Sequence, residues 1–190
     1  MKFIPRSRLE AFYSLPADSL VRVYSYQEIE ALERIETLGY LTGPSEENVD
    51  RFFKPAYDWM REQMATRVPD YSGEYPVWAW LKRPSTKNKE RRYRGTETHK
   101  VRIIAKVPKK RILLSDYDRW HMPLNNSPCT RTESEYDLWQ GDPRPSWEQV
   151  FDFTPWKTEE EISWLGSPDR MIVQACIDRI YAEEIISIRL

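Results

Sequence analysis

YPVWAWLK (75–82), KVRIIAKV (100–107) and RILLSDYDRWHMPLNN (111–126) are the runs from which the fold is read. In the first, Val77, Ala79 and Leu81 alternate with Trp78 and Trp80, the period of a strand with rings on one side. The second is rich in β-branched residues and is stopped by Pro108. The third opens with RILLSD, a further strand, expected to pair with the second as a hairpin across Pro108-Lys109-Lys110. Ser115 then stands where a helix N-cap belongs. Asp116 and Asp118 fall in the first turn of that helix, where carboxylates are favoured, and Pro123 with Asn125-Asn126 ends it. Between the first two runs lies RPSTKNKERRYRGTETHK (83–100), with no periodicity and many breakers. The reading there is a mobile basic loop at 82–100.

Upstream, residues 1–19 read as an N-terminal arm with one short helix around Leu9–Leu15, ended by Pro16. LVRVYS (20–25) is a strand with Leu20, Arg22 and Tyr24 on one face and Val21 and Val23 on the other. Ser25, with Glu28 three residues on, fits a capping box for a helix bearing Ile29, Leu32, Ile35 and Leu38 and closed by Gly39. A second helix is expected from near Ser45, with Asn48 as another cap and a stripe of Val49, Phe52, Phe53, Ala56, Tyr57, Met60 and Met64. Pro55 marks a kink in it or its true start.

Downstream, 134–140, 146–151 and 156–164 read as short elements pinned by tryptophans. MIVQACIDRI (171–180) is a strand running into an extended or loosely helical tail. The expected architecture is one α+β domain over residues 20–190. A mixed or mostly antiparallel curved sheet is covered by two amphipathic helices, with short Trp-rich helices at the periphery.

Composition narrows the function classes. An aromatic content of 13% places the chain among folded proteins, and 190 residues are enough to bury a core without covalent staples. Eight tryptophans and eleven tyrosines suit either a core of large side chains or an aromatic-lined groove. With a net charge of −1, overall charge does not drive binding to nucleic acid or lipid, but its distribution is uneven. Residues 82–111 hold thirteen Lys/Arg against Glu90 and Glu97, and 131–169 hold ten carboxylates against Arg131, Arg144 and Lys157. Cys129 and Cys176 form no CxxC pair. With two histidines they lack the spacing of a structural zinc site, and they fit a reducing, cytoplasmic setting. MKFIPRSRLE has no signal-peptide hydrophobic region, and no apolar run reaches membrane-spanning length.

Three sets of residues invite a chemical reading. Asp116, Asp118 and His121, with His99, combine carboxylates and imidazoles that suit a hard or borderline metal, but SDYD at a helix start is usually capping and Trp-His in a short helix is usually packing, so no metal is expected. Lys89, Arg91, Arg92 and Arg94 around Tyr93 suit the backbone of a single-stranded nucleic acid, or an acidic partner. The third set is Arg22 and Tyr24 of the first strand taken with Gln174 and Asp178 near the C-terminus.

At these residues two resemblances enter. YSYQEIEALERIETLGYL, FKPAYDWMREQM, YPVWAWLK, ILLSDYDRWHMPLNN, SWEQVFD and VQACIDRI resemble, over about nine-tenths of the chain, an uncharacterised bacterial and phage family, domain of unknown function 3841. That family implies no established activity. More faintly, VRVYS followed by LERIETLGYL, and the ending VQACIDRIYAEEII, look like the first and last catalytic strands of ADP-ribosyltransferase folds. That resemblance implies NAD as cofactor and a nucleic-acid or protein acceptor. It gives Arg22 to a ribose or phosphate, Tyr24, Tyr75 or Trp78 to stacking on nicotinamide, and Gln174 to the catalytic strand. The enzymes carry Glu just after Gln-Ala, where this chain has Cys176, so Asp178 or Glu183 would have to supply the carboxylate that steadies an oxocarbenium ribose.

Overall fold

In the computed structural model, residues 6–82, 100–168 and 171–189 are described. A six-stranded sheet organises them, in the order β5-β6-β3-β1-β4-β8. Its strands are β1 (Leu20–Glu28), β3 (Val77–Trp80), β4 (Lys100–Pro108), β5 (Ile112–Asp116), β6 (Val173–Ile177) and β8 (Ile185–Arg189). Every neighbouring pair is antiparallel. A two-stranded ribbon, β2 (Tyr40–Leu41) with β7 (Ile180–Tyr181), stands beside it. The three strands expected at 20–25, 101–107 and 112–115 all lie in the one sheet.

The expected hairpin between the second and third of them does not form. β4 pairs with β1 along nine residues, from Leu20↔Pro108 to Glu28↔Lys100, and its other edge is taken by β8. The turn Lys109–Arg111 instead bonds backward, Lys109 N–H to Ser19 O and Lys110 N–H to Ala17 O, and β5 joins β6 at the far edge. A three-residue turn is permissive for a hairpin but does not choose strand partners; the long register with β1 does.

Strand alternation sorts the side chains into two cores. On one face Val23, Val77, Ala79, Val101, Ile103, Val107, Ala175 and Ile177 are buried. They are covered by Leu9 and Phe12 of α1 (Arg6–Ser14), by Ala31 and Ile35 of α2 (Ala31–Leu38), and by Trp156 and Met171. Residues expected as an arm therefore contribute two core side chains. On the opposite face, Trp78, Leu113 and Cys176 pack under Ala56, Trp59, Met60 and Met64 of α3 (Lys54–Arg67). Trp120 of α4 (Tyr117–Leu124) and Trp147 of the 3-10 segment Arg144–Phe151 complete that core. α2 and α3, the two amphipathic helices expected to cover the sheet, thus lie on opposite faces of it. α5 (Glu133–Leu138) and α6 (Glu159–Leu165) are short and peripheral, as expected.

Three local expectations are corrected by hydrogen bonding. Ser25 caps no helix: β1 continues to Glu28, and the buried Ser25 hydroxyl donates to Trp78 O at 2.8 Å. α3 starts at Lys54 with Pro55 in its first turn, where the missing N–H costs nothing. Phe52 and Phe53 consequently precede the helix in a turn held by Asp50, and both are exposed. The cap of α4 is Asp116 rather than Ser115; its Oδ1 accepts from the N–H groups of Asp118 and Arg119. Among the described residues, no helix is long and apolar enough to cross a membrane.

Candidate functional site

Register brings part of the expected site together. Arg22, Tyr24 and Gln174 project from the same face of the sheet, because Tyr24 stands opposite Trp80 and Trp80 opposite Gln174. The row continues through Ile104 on one side and Ser115 on the other. Gln174 is buried, and its Nε2 has no protein partner. Beyond this row, Arg22 is opposite Lys106 and Arg102 is opposite Arg189. Like charges directly opposed across strands are unfavourable. None of the four is in an ion pair among the described residues. Arg22, Lys106 and Arg189 are exposed, and the Nε of the half-buried Arg102 is unpartnered. α3 and α4 cover the β3–β6–β5 half of this face, so these cations lie on its other half.

Of the remaining residues proposed for NAD, Trp78 projects from this same face but beneath α3, while Tyr75 and Asp178 lie outside the strands. Tyr75 is buried, and its hydroxyl donates to Asp58 Oδ1 at 2.6 Å. Burial pushes the Asp58 carboxyl up, but hydrogen bonds from Lys54 and Tyr75 outweigh it and leave it below the usual range. Trp78 lies against Tyr57 and Trp120, at ring separations of 6.0 and 5.1 Å. Tyr75 and Trp78 thus meet at the Tyr57 ring, under α3. Asp178 is buried just past the end of β6, where its carboxylate accepts from the Ser72 hydroxyl at 2.5 Å and from Ser72 N–H. Its visible work is to tie the 71–74 turn to the sheet. Burial raises both thiols, Cys129 and Cys176, to about 12, so neither is a thiolate near neutral pH. Lys89, Arg91, Arg92, Arg94 and His99 lie outside the described residues. Asp116 is occupied in capping, Asp118 and His121 are exposed on α4, and no group of three or more His, Cys, Asp or Glu among the described residues is placed to hold a metal.

A second locus was not legible in the sequence. Behind the N-terminus of α4 is a cavity of about 330 Å³, bordered by Asp116, Asp118, Arg119, Trp156 and Trp164. Arg119 is 4% exposed. Its Nη1 donates to Gln149 O at 2.9 Å and Asp152 O at 3.0 Å, while Nε and Nη2 have no protein partner. Its guanidinium lies 5.1 Å from the centre of the Trp156 ring. Burial raises the carboxyl of Asp116. Arg119 is one cation in a short helix, and its surroundings come from residues 129–171, so local pattern carries no sign of it.

A family model described as domain of unknown function (DUF3841) matches residues 22–144, which include all but the first two residues of β1, β2 to β5 and α2 to α5. No curated protein matches the chain.

Proposed function

The chain belongs to the DUF3841 family, and we propose that it binds single-stranded nucleic acid on the β1–β4–β8 half of its sheet, away from α3 and α4. The observation that carries this reading is the pair of opposed cation sets, Arg22 with Lys106 and Arg102 with Arg189, on either side of Tyr24 and Ile104. An isolated protein gains nothing from such pairs. A polyanion relieves the repulsion, and a ring face such as that of Tyr24 accepts bases of any sequence. Lys89, Arg91, Arg92 and Arg94 add cations between β3 and β4 in the chain, in a protein whose net charge is only −1. The test is fluorescence anisotropy with a labelled single-stranded oligonucleotide over a salt series. Four phosphate contacts give a slope of about −3 in log affinity against log salt. Arg22→Ala with Lys106→Ala should flatten that slope by about 1 to 1.5 with an unchanged melting temperature. No binding at low salt, or a slope unaffected by the double substitution, would remove the reading.

NAD-dependent ADP-ribosyl transfer is the second reading. It is favoured by one observation, that Arg22, Tyr24 and the unpartnered Gln174 amide share a face. A dinucleotide carries the same two chemistries, phosphate and ring. Transfer also needs a carboxylate, and Asp178 is committed to Ser72. Calorimetry with NAD, and mass spectrometry of nucleic-acid and protein acceptors after incubation with it, separate transfer from binding. Arg22→Ala should abolish both if this reading holds.

A further inference from the structure

The cavity behind α4 has features that the sheet-face reading leaves unused. An arginine side chain presents five N–H donors in a planar fork. Burying a cation is expensive, and burying unpaired donors adds to that cost. Arg119 is buried, yet only its Nη1 is bonded, to two main-chain carbonyls that fix the plane of the group. The Nε–Nη2 edge, the one that grips a carboxylate with two parallel bonds, is buried without a protein partner, in a residue that lines the cavity. The same wall carries two carboxylates. The helix cap uses only Oδ1 of Asp116 and so leaves Oδ2 out of the cap, while Asp118 is exposed in the first turn. The rest is apolar, with the rings of Trp156 and Trp164 and the side chain of Met122. A volume of about 330 Å³ is at the small end of ligand pockets, which run from about 300 to 1,000 Å³.

A site with one cationic fork, two carboxylates and aromatic walls is complementary to a small molecule carrying both charges and an apolar body. We infer that this cavity binds a free amino acid with a large apolar side chain. Its carboxylate is held on the Nε–Nη2 edge of Arg119, its ammonium by Asp116 and Asp118, and its side chain between the tryptophans. The inference is independent of nucleic-acid or NAD binding, since the cavity borders α4 and the 156–171 segment rather than the β1–β4–β8 face.

The test uses the unaltered full chain and three probes of nearly one shape. L-tryptophan has both charges, indole-3-acetate lacks the ammonium, and tryptamine lacks the carboxylate. Isothermal titration calorimetry should show L-tryptophan binding, and each of the other two weaker by about tenfold or more, the factor that loss of a charge-assisted bond produces. L-phenylalanine, L-leucine and L-methionine extend the comparison to other side chains. Arg119→Lys keeps the charge but not the fork and should cost a further factor of about ten. Trp164→Ala should weaken binding by removing a wall, with circular dichroism melts recording whether each variant is folded. Absence of binding by all four amino acids at millimolar concentration overturns the inference. So does equal binding of tryptamine, which would show that Arg119 is not the anchor, or of indole-3-acetate, which would show that the aspartates recognise nothing. These comparisons among ligands stand even if a variant fails to fold.

Discussion

At the scale of single residues, close approach is a stronger constraint here than backbone conformation. Gly39 adopts a φ of 79° as the C-cap of α2, but a Cβ there would meet nothing within 4 Å. Gly43 has no such φ, yet a Cβ at that position would lie 2.2 Å from Tyr75 O and 2.5 Å from Pro76 O. Those carbonyls belong to main chain fixed against the sheet, and Gly43 N–H donates to Tyr75 O at 3.2 Å. Gly43→Ala should therefore cost about 2 kcal/mol or more, against about 1 kcal/mol for Gly39→Ala. For a chain of this size that is a fall in melting temperature of roughly 4–8 °C against 2–4 °C. Thermal melts of the two variants check the order, and a milder effect at Gly43 would contradict it. In the sequence Gly39 reads as a helix end and Gly43, before Pro44, as a turn, and glycine is the signal in either case. It does not distinguish a special dihedral from a crowded one. The same limit applies to Asp178: a carboxylate near the C-terminus is visible, but its engagement by Ser72, 106 residues away, is a product of the fold.

At the scale of elements, strand alternation was legible and helix starts were less so. β1, β4 and β5 follow directly from their β-branched runs. The start of α3 was displaced because Phe52 and Phe53 continue its apolar spacing, while Pro55 and the Asp50 turn set the boundary. α6 is capped by Thr158 with Glu161 three residues on, and the reciprocal bonds of a capping box are present. Glu161 also receives Lys157 N–H and pairs with Arg131 Nε at 2.7 Å, and Arg131 reaches Asp152 at 2.8 Å. The N–H donors of Thr158 and Lys157, then Arg131, hold the Glu161 carboxyl down at about 2, below its ordinary 4.5. A depressed carboxyl contributes stability above its unfolded pKa and loses it as pH falls through the folded value. The contribution of Glu161 should be complete above about pH 4.5 and gone near pH 2. Glu161→Gln should therefore melt below the native chain at pH 7, and the gap should close over that interval. A gap independent of pH would mean that packing, not the charge of Glu161, holds α6 in place.

At the scale of the whole molecule, topology makes the C-terminal segment indispensable to a sheet whose family match ends earlier. The matched residues 22–144 supply β3, β4, β5 and all but the first two residues of β1. They do not supply β6, which stands between β5 and β3 and pairs with both. Without β6, β5 has no partner strand and β3 loses one edge. Val173, Ala175 and Ile177 would leave the first core, and Cys176 the second. Trp156 and Met171, which cover the first face, and Trp147, fully buried in the second core, also lie past residue 144. Fully burying one large apolar side chain is worth about 1.5–3 kcal/mol, whereas a whole domain is stable by only about 5–15 kcal/mol. The loss of several such side chains exceeds that margin. A chain ending at residue 144 should accordingly give no cooperative thermal transition by circular dichroism and no dispersed amide spectrum, while the full chain gives both. Adding residues 145–190 back as a separate polypeptide should restore the transition if β6 can insert between its neighbours. A cooperative transition in the 1–144 chain alone would show instead that β5 finds another partner, and that the strand order seen in the full chain is not the only one these residues can adopt.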